Sequence, residues 1–403
     1  METRQIKGKQ IAQMCQIEKK GLDKWQVPSQ SGHGSYIVTR YAEQFLCNCP
    51  DFETIQQPCK HIYAVEIKVL KWFDNQGNET EVTIKKKYAQ DWHNYNLNQE
   101  QEKSKFLELL KDLLETIEEP SYTFGRPKVA ERDLLFASAL KVYSQFSIRR
   151  FKSDLEIAKE KAFVNQLPSR SLISEFMQRE ELTPILSKLI QLSALPLRSV
   201  EKDFAVDSSG FRTTKFNEYC KEKHHTKQKH EWIKCHIITG VKTNIITAVE
   251  VGFEHHSADS PQFMPLVNAT VNVGFDIEEV SADKAYSSVD NYNTVQDVGG
   301  VAYIPFKSNA TGQSNRTKGN KARLWRKMFH YFQLNRDEFL EHYHKRSNVE
   351  TTFFMIKAKF NDLLKSKTKT AQINELLFKI LCHNLIVVNN EMTLIKSEYN
   401  KVL

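Results

Sequence analysis

The chain has 403 residues, of which 40% are hydrophobic and 26% charged, a balance that excludes wholesale disorder, a collagen-like repeat and a coiled-coil rod. Lys and Arg number 57 against 49 Asp and Glu, so the formal excess is only +8 and its placement matters more than its size. No window approaches the ~18 consecutive apolar residues of a membrane span, and the opening METRQIKGKQIAQMCQ lacks the apolar stretch of a secretory leader; two or three domains in the cytoplasm, away from membranes, are expected.

Residues 25–49 read as short strands: GSYIVTR alternates and QFLCNC is a second extended piece. Seven cysteines are too few and odd in number for a disulfide framework, yet Cys47, Cys49 and Cys59 fall within thirteen residues. Alternate residues of an extended strand face the same way, so Cys47 and Cys49 can present both sulfurs to one ion. Cys59 and His61 can close the tetrahedron from the turn that opens the next helix. Three thiolates and an imidazole make a closed structural Zn²⁺ site with no position left for a catalytic water. Over about residues 25–75 this CxC…CxH pattern resembles the SWIM zinc finger, a module whose members bind DNA or protein. The helix opening near Cys59 should carry HIYAVEIKVLKWF as far as Asn75 and Gly77, and a polar linker follows. A zinc module with its linker is thus expected over residues 1–95.

From 101 to 118, Phe106, Leu109, Leu110, Leu113, Leu114 and Ile117 keep helical spacing, and Pro120 stops the run. A basic GRPK loop leads into further helices over 128–195, with Leu135, Ala139, Val142 and Phe146 on one stripe and Ser169 or Ser171 as a cap. Residues 96–199 therefore read as a helical region. Arg149 and Arg150 with the helix after Pro168 suit a helix-turn-helix reader of DNA ends and a plain structural bundle equally well. After residue 200 the pattern changes to strands: DFAVDSSGF, EWIKCHIITGV, NIITAVEVGF, IEEVSADKAY and GVAYIPFKS, with helices near 261–273 and 288–297 and a long helical run over about 320–390. Three early strands followed by strands alternating with helices imply a mixed α/β sheet.

Tyr343, Arg346, Glu350 and Lys357 stand at offsets 0, +3, +7 and +14, which fall within about 60° of one another on a single helix. Val349, Phe353, Ile356 and Phe360 form the neighbouring apolar stripe. Asp207 closes the apolar run FAV, and Asp283 closes VSA, each at the expected end of a strand. Together with Glu350 they would hold two divalent ions, clamping the attacking and leaving oxygens of a phosphodiester. Carboxylates suit Mg²⁺, or Mn²⁺, as hard oxygen donors.

These residues resemble the DDE transposases of prokaryotic insertion sequences, in the group with the Y-(2)-R-(3)-E-(6)-K signature. Tyr343, Arg346, Glu350 and Lys357 match it without a gap, Asp207 in FAVDSSGF matches the first acid, and Asp283 in DKAY matches the second. The resemblance, over about residues 200–390, implies an RNase H-like catalytic domain at 200–403. It further implies metal at Asp207, Asp283 and Glu350, a DNA-end phosphate on Tyr343, Arg346 and Lys357, and a homodimer on double-stranded element ends and target. Asp283 and Glu350 are only 67 positions apart, which leaves little room for the large β-rich insertion that some relatives carry. Charge agrees with a DNA substrate. Residues 307–327 hold Lys307, Arg316, Lys318, Lys321, Arg323, Arg326 and Lys327 with no acid, and Arg323 and Arg326 are candidate DNA contacts. The run CKEKHHTKQKH, with His224, His225 and His230, reads as a basic hairpin tip rather than a metal site. The expected activity is DNA cleavage at element ends and strand transfer. A non-catalytic descendant that only binds DNA, or a nuclease that cuts without joining, is the alternative.

Overall fold

The computed structural model describes residues 2–15, 17–21, 23–29, 34–41, 44–73, 79–81, 92–119, 128–213, 232–253, 258–312 and 320–402. The basic run at 220–230 with its three histidines, Pro120, most of GRPK, and Arg316 and Lys318 lie outside them. The chain divides into two compact units, Met1–Gln90 and Asp91–Leu403.

The first unit opens with α1 (Glu2–Met14), then β1 (Glu18–Gly21), β2 (Lys24–Pro28), β3 (Ser35–Tyr41) and β4 (Gln44–Cys47), an antiparallel meander in that order. A short helix α2 (Pro50–Ile55) and α3 (Lys60–Leu70) follow, then a small ribbon of β5 (Lys71–Phe73) and β6 (Glu79–Glu81). The helix after Cys59 thus ends at Leu70, short of the expected Trp72 and Phe73, which enter β5 and pair with β6. The core is small: Ile11, Trp25, Val27, Val38, Ile62, Ala64 and Val65 pack around the three thiols.

The second unit begins with helices α4 (Trp92–Glu115), α5 (Glu131–Ser144), α6 (Phe151–Glu160), α7 (Arg170–Phe176) and α8 (Leu182–Ala194). On α4, Phe106, Leu110 and Leu114 are buried as the spacing requires. Ser169 caps α7, its hydroxyl accepting from the Leu172 N–H at 3.2 Å. Phe146 departs from its expected stripe. α5 stops at Ser144, Gln145 turns left-handed at φ 55°, and Phe146 swings out to 46% exposure.

Five strands then form the sheet: β7 (Asp203–Arg212), β8 (Trp232–Gly240) and β9 (Ile246–Gly252) antiparallel, and β10 (Glu279–Ala282) and β11 (Val301–Tyr303) parallel to β7, in the order β11-β10-β7-β8-β9. Helices α9 (Ser260–Asn272) and α10 (Val289–Asp297) serve as crossovers. The long run after 320 is broken into α11 (Asn320–Leu334), α12 (Arg336–Tyr343), a 3₁₀ turn (His344–Arg346), α13 (Ser347–Phe360) and α14 (Lys369–Val402). Among the described residues between Asp283 and Glu350, β11 is the only strand.

Strand alternation divides the core in two. Phe204 and Val206 face α9, α10 and α11, where Phe263, Tyr292 and Trp325 pack. Ala205 and Phe211 face the other side, with Val349, Phe353, Ile356 and Phe360 of α13, the apolar face of α14, and α4, α5 and α8. The middle helices therefore share their core with one face of the sheet. Trp325 is a core residue, edge-on to Tyr292 and donating to the Thr311 carbonyl at 2.9 Å. The segment Lys369–Met392 is long and apolar enough to cross a bilayer, but 94% of its apolar window is buried in this unit, as in the core helix of a folded domain.

Candidate active site and metal centre

Parity in β7 decides what each side chain meets. Asp207 shares the face of Ala205 and Phe211, the side on which α13 lies. Contrary to the expectation of a strand end, Asp207 is mid-strand, because the SSGFR that follows continues to pair with β8 as far as Arg212↔Trp232. The parallel part of the sheet does end there. The last β7–β10 pair is Val206↔Ala282, so Asp283 leaves β10 one step further on, beside Asp207, with neighbouring strands ~4.8 Å apart. Asp283 caps the following 3₁₀ turn, accepting from the Lys284 N–H at 2.5 Å, and borders an open cleft of about 610 Å³ with Lys307 and Asn309.

Glu350 arrives from α13. The four signature residues do not share one helix: Tyr343 ends α12, Arg346 lies in the 3₁₀ turn, and Glu350 and Lys357 are on α13. The tighter turn still keeps them together. The Arg346 guanidinium donates to Asp207 Oδ2 at 2.7 Å and to Glu350 Oε1, and stacks over the Tyr343 ring at 5.9 Å. Seven residues beyond Glu350, Lys357 donates to Ser209 Oγ at 2.7 Å and lies 5.1 Å over the Phe211 ring. Ser209 and Phe211 have the parity of Asp207, so the strand and the helix run in step. Arg323 and Arg326 are exposed on α11, and no described contact ties either to the acids.

The charge balance at this cluster suits a cation. Burial pushes the Asp207 carboxyl above the usual range; the Ser208 N–H and Arg346 oppose the shift, and the charges of Asp283 and Glu350 add to it. Asp207 and Glu350 are bridged by Arg346, and Asp283 acts on Asp207 from the neighbouring strand. Their oxygens are hard donors of the kind that suits Mg²⁺ or Mn²⁺, but among the described residues only the Cys₃His group has its donor atoms already drawn together as a metal set. On the opposite face a second polar group went unread in the sequence. Ser208 Oγ donates to Asp259 at 3.0 Å, Lys234 pairs with the same oxygen at 2.5 Å, and His236 lies 3.2 Å from the Tyr286 hydroxyl. Burial holds His236 down to about 4, Lys234 adds to the shift and Asp259 opposes it. The signal was present in EWIKCHIITG, where Lys234 and His236 interrupt an otherwise apolar strand.

In the first unit all four expected ligands converge. The donor atoms of Cys47, Cys49, Cys59 and His61 lie within 4.8 Å of one another and all four residues are buried. His61 Nδ1 stands 4.0 Å from Cys47 Sγ and 3.8 Å from Cys59 Sγ, close to the ~3.6–3.8 Å edges of a tetrahedron built from ~2.3 Å Zn–S and ~2.0–2.1 Å Zn–N bonds. Hydrogen bonds from Cys47 and His61 hold Cys59 down to about 3 against its burial, whereas the hydrogen bond to Cys59 and burial push Cys47 up.

Residues 198–385 match the family model described as "Transposase DDE domain". The chain carries a transposase DDE domain. The SWIM zinc finger model matches residues 36–70, which include all four candidate zinc ligands. A search of curated proteins found no match. Among solved structures, the DDE-bearing chain is similar to a piggyBac transposase in a synaptic complex with hairpin DNA, at 10% identity and a TM-score of 0.34, over 72% of each chain.

Proposed function

We propose that this DNA transposase cuts DNA at the ends of its element and joins the freed 3′-OH to target DNA, with Asp207, Asp283 and Glu350 as its catalytic acids. The observation that carries the reading is the convergence of Asp207 and Asp283 in strand register, with Glu350 tied to Asp207 through Arg346. Mg²⁺ or Mn²⁺ held by these acids would activate the attacking hydroxyl and stabilise the leaving oxygen of the phosphodiester. The protein's own contribution is preorganisation: the sheet fixes the two aspartates, and the buried stripe of α13 fixes Glu350. Arg346, Lys357 and Tyr343 line the same face and would take the phosphate, Arg346 exchanging one carboxylate for it. Arg323 and Arg326 would meet the flanking duplex. The partners are double-stranded element ends and target, bound by a homodimer, and Zn²⁺ fills the Cys₃His site as a structural ion.

The test uses amide variants, which keep shape and remove charge. Asp207→Asn, Asp283→Asn and Glu350→Gln should each lower cleavage and strand transfer by several orders of magnitude, while binding of the element's own termini persists. Pairing two of them should cost little more, since the acids act as one unit. Near wild-type joining by Asp283→Asn would remove Asp283 from the site.

A further inference from the structure

Away from the acids, the connection between α13 and α14 folds back over the end of α5. Its course is held from below by Glu375, which accepts the backbone N–H groups of Lys365 and Ser366 at 3.0 and 2.7 Å. From above, the Lys365 ammonium reaches the Gln145 carbonyl at 2.6 Å, and the Gln145 side chain donates to the Lys359 carbonyl. Between this connection, α5 and α7 lies a pocket of about 370 Å³. α13 alone advances roughly 15 Å from Glu350 to Phe360 before the connection begins, so this is a separate place on the molecule.

Its walls combine two chemistries. Lys141, Lys365 and Lys367 supply positive charge, and Phe146, Ile148 and Met177 supply apolar surface. Lys141, in the last turn of α5, is half-buried, and among the described residues no hydrogen bond or ion pair reaches its ammonium. Burial holds its pKa below the ordinary lysine value; Glu375 opposes the shift and Lys365 adds to it. The Glu375 carboxylate acts on Lys141 through space but is taken up by the Lys365 and Ser366 N–H groups, so the half-buried Lys141 ammonium, beside a second cation, leaves a place for a directly bonded anion. Phe146 calls for something flat, since the left-handed Gln145 turns it out of the helix stripe and leaves it 46% exposed at the pocket. The size falls in the ~300–1,000 Å³ range of small-molecule sites, which are mostly apolar with a few placed polar groups. An anionic group with a flat aromatic body is a nucleotide, whose base stacks on aromatics and whose phosphate seeks lysine.

We propose that this pocket binds one nucleotide, its phosphate on Lys141 and Lys365 and its base against Phe146. The transposase reading bears only on the source, which is an unpaired unit of the DNA strand or a free mononucleotide. The full-length chain, without divalent metal, is titrated by fluorescence anisotropy with a labelled short oligothymidylate, with a duplex of the same length, and with thymidine monophosphate as competitor. Lys141→Met with Phe146→Ala should weaken single-strand binding about tenfold or more and leave duplex binding within about twofold, at unchanged melting temperature. Competition by the mononucleotide at comparable concentration assigns the site to free nucleotide; binding of the oligonucleotide without it assigns the site to the strand. An oligonucleotide carrying 5-iododeoxyuridine should photocrosslink to the peptide containing Phe146. Crosslinks confined to other peptides, or single-strand affinity indifferent to both substitutions, overturn the proposal. Joining of pre-cut ends, measured on the same variants and on Asp207→Asn, keeps the two readings apart. Loss of oligonucleotide binding with Asp207-dependent joining intact supports the pocket, and joining indifferent to Asp207 counts against the acids alone.

Discussion

Removing the metal from the Cys₃His site should unfold the first unit and spare the second. The described core of the first unit is seven apolar side chains around three thiols, and domains of this size are marginal on hydrophobic burial alone. Structural zinc supplies about 10–16 kcal/mol of apparent binding free energy near neutral pH, more than the ~5–10 kcal/mol by which a small domain usually exceeds its unfolded state. Chelation should therefore abolish the low-temperature transition in calorimetry. The transition of the second unit, whose separate core holds α14, should stay in place. Cys49→Ser sharpens the test. Cys49 Sγ also caps α2, accepting from the Phe52 N–H at 3.4 Å, and serine is the better cap. If capping were the role of Cys49, the serine variant would be as stable as wild type; if metal binding is, the variant should lose its zinc and its first transition together. Elemental analysis that finds no zinc in the purified chain, or a first transition that survives chelation unchanged, would refute the reasoning.

Two further expectations concern the second unit. Asn384 is fully buried, its amide nitrogen 2.7 Å from the Ile246 carbonyl and its oxygen accepting the Ile246 N–H at 3.0 Å; Asn384→Leu leaves both backbone groups unpaired and should cost about 2–5 kcal/mol in urea unfolding, a loss under about 1 kcal/mol being the contrary result. His383 Nε2 donates to the Asn244 carbonyl of the β8–β9 turn at 2.9 Å, and burial holds its pKa down to about 4. A folded-state pKa below the ordinary 6.5 means stability that is complete above 6.5 and lost as pH falls toward 4, on the order of 3 kcal/mol for this group. His236 is lowered for the same reason and acts in the same direction, so His383→Gln should make the acid-side slope measurably shallower; an unchanged slope would exclude His383 as a cause.

The sequence was legible where chemistry is local. Cys47-x-Cys49 and Cys59-x-His61 are short pairs, and two-residue spacing on extended chain or at a helix start nearly dictates the geometry. The apolar stripe Val349, Phe353, Ile356 and Phe360 was equally plain, and all four are buried. What escaped was long-range or compensatory. DFAVDSSGF read as a strand, yet polar SSG set Asp207 at the end of its apolar run; that it is mid-strand, paired as far as Arg212, depends on β8. The break of the long helical run at Asn335 and at His344–Arg346 carries no Pro or Gly, so periodicity read through it. Asp259 sits at the start of α9, far in sequence from Ser208, and only the fold brings them to 3.0 Å.

The adjacency of Asp207 and Ser208 is more than a motif, because strand parity sends the two to opposite faces of the sheet. Asp207 meets Arg346 and, through it, Glu350; Ser208 meets Asp259 and the Lys234, His236 and Tyr286 group beneath α9. A one-residue slip of β7 would, in one direction, place the Asp207 carboxylate beside Asp259 with Val206 beside Arg346, and in the other place Ser208 beside Arg346. Both polar groups thus oppose that slip, as do Phe204 and Val206 on one face and Ala205 and Phe211 on the other. The same register that brings Asp283 beside Asp207 is therefore held by contacts on both faces. The carboxylates, whose mutual repulsion favours their separation, are kept together by a strand whose register is held on both faces.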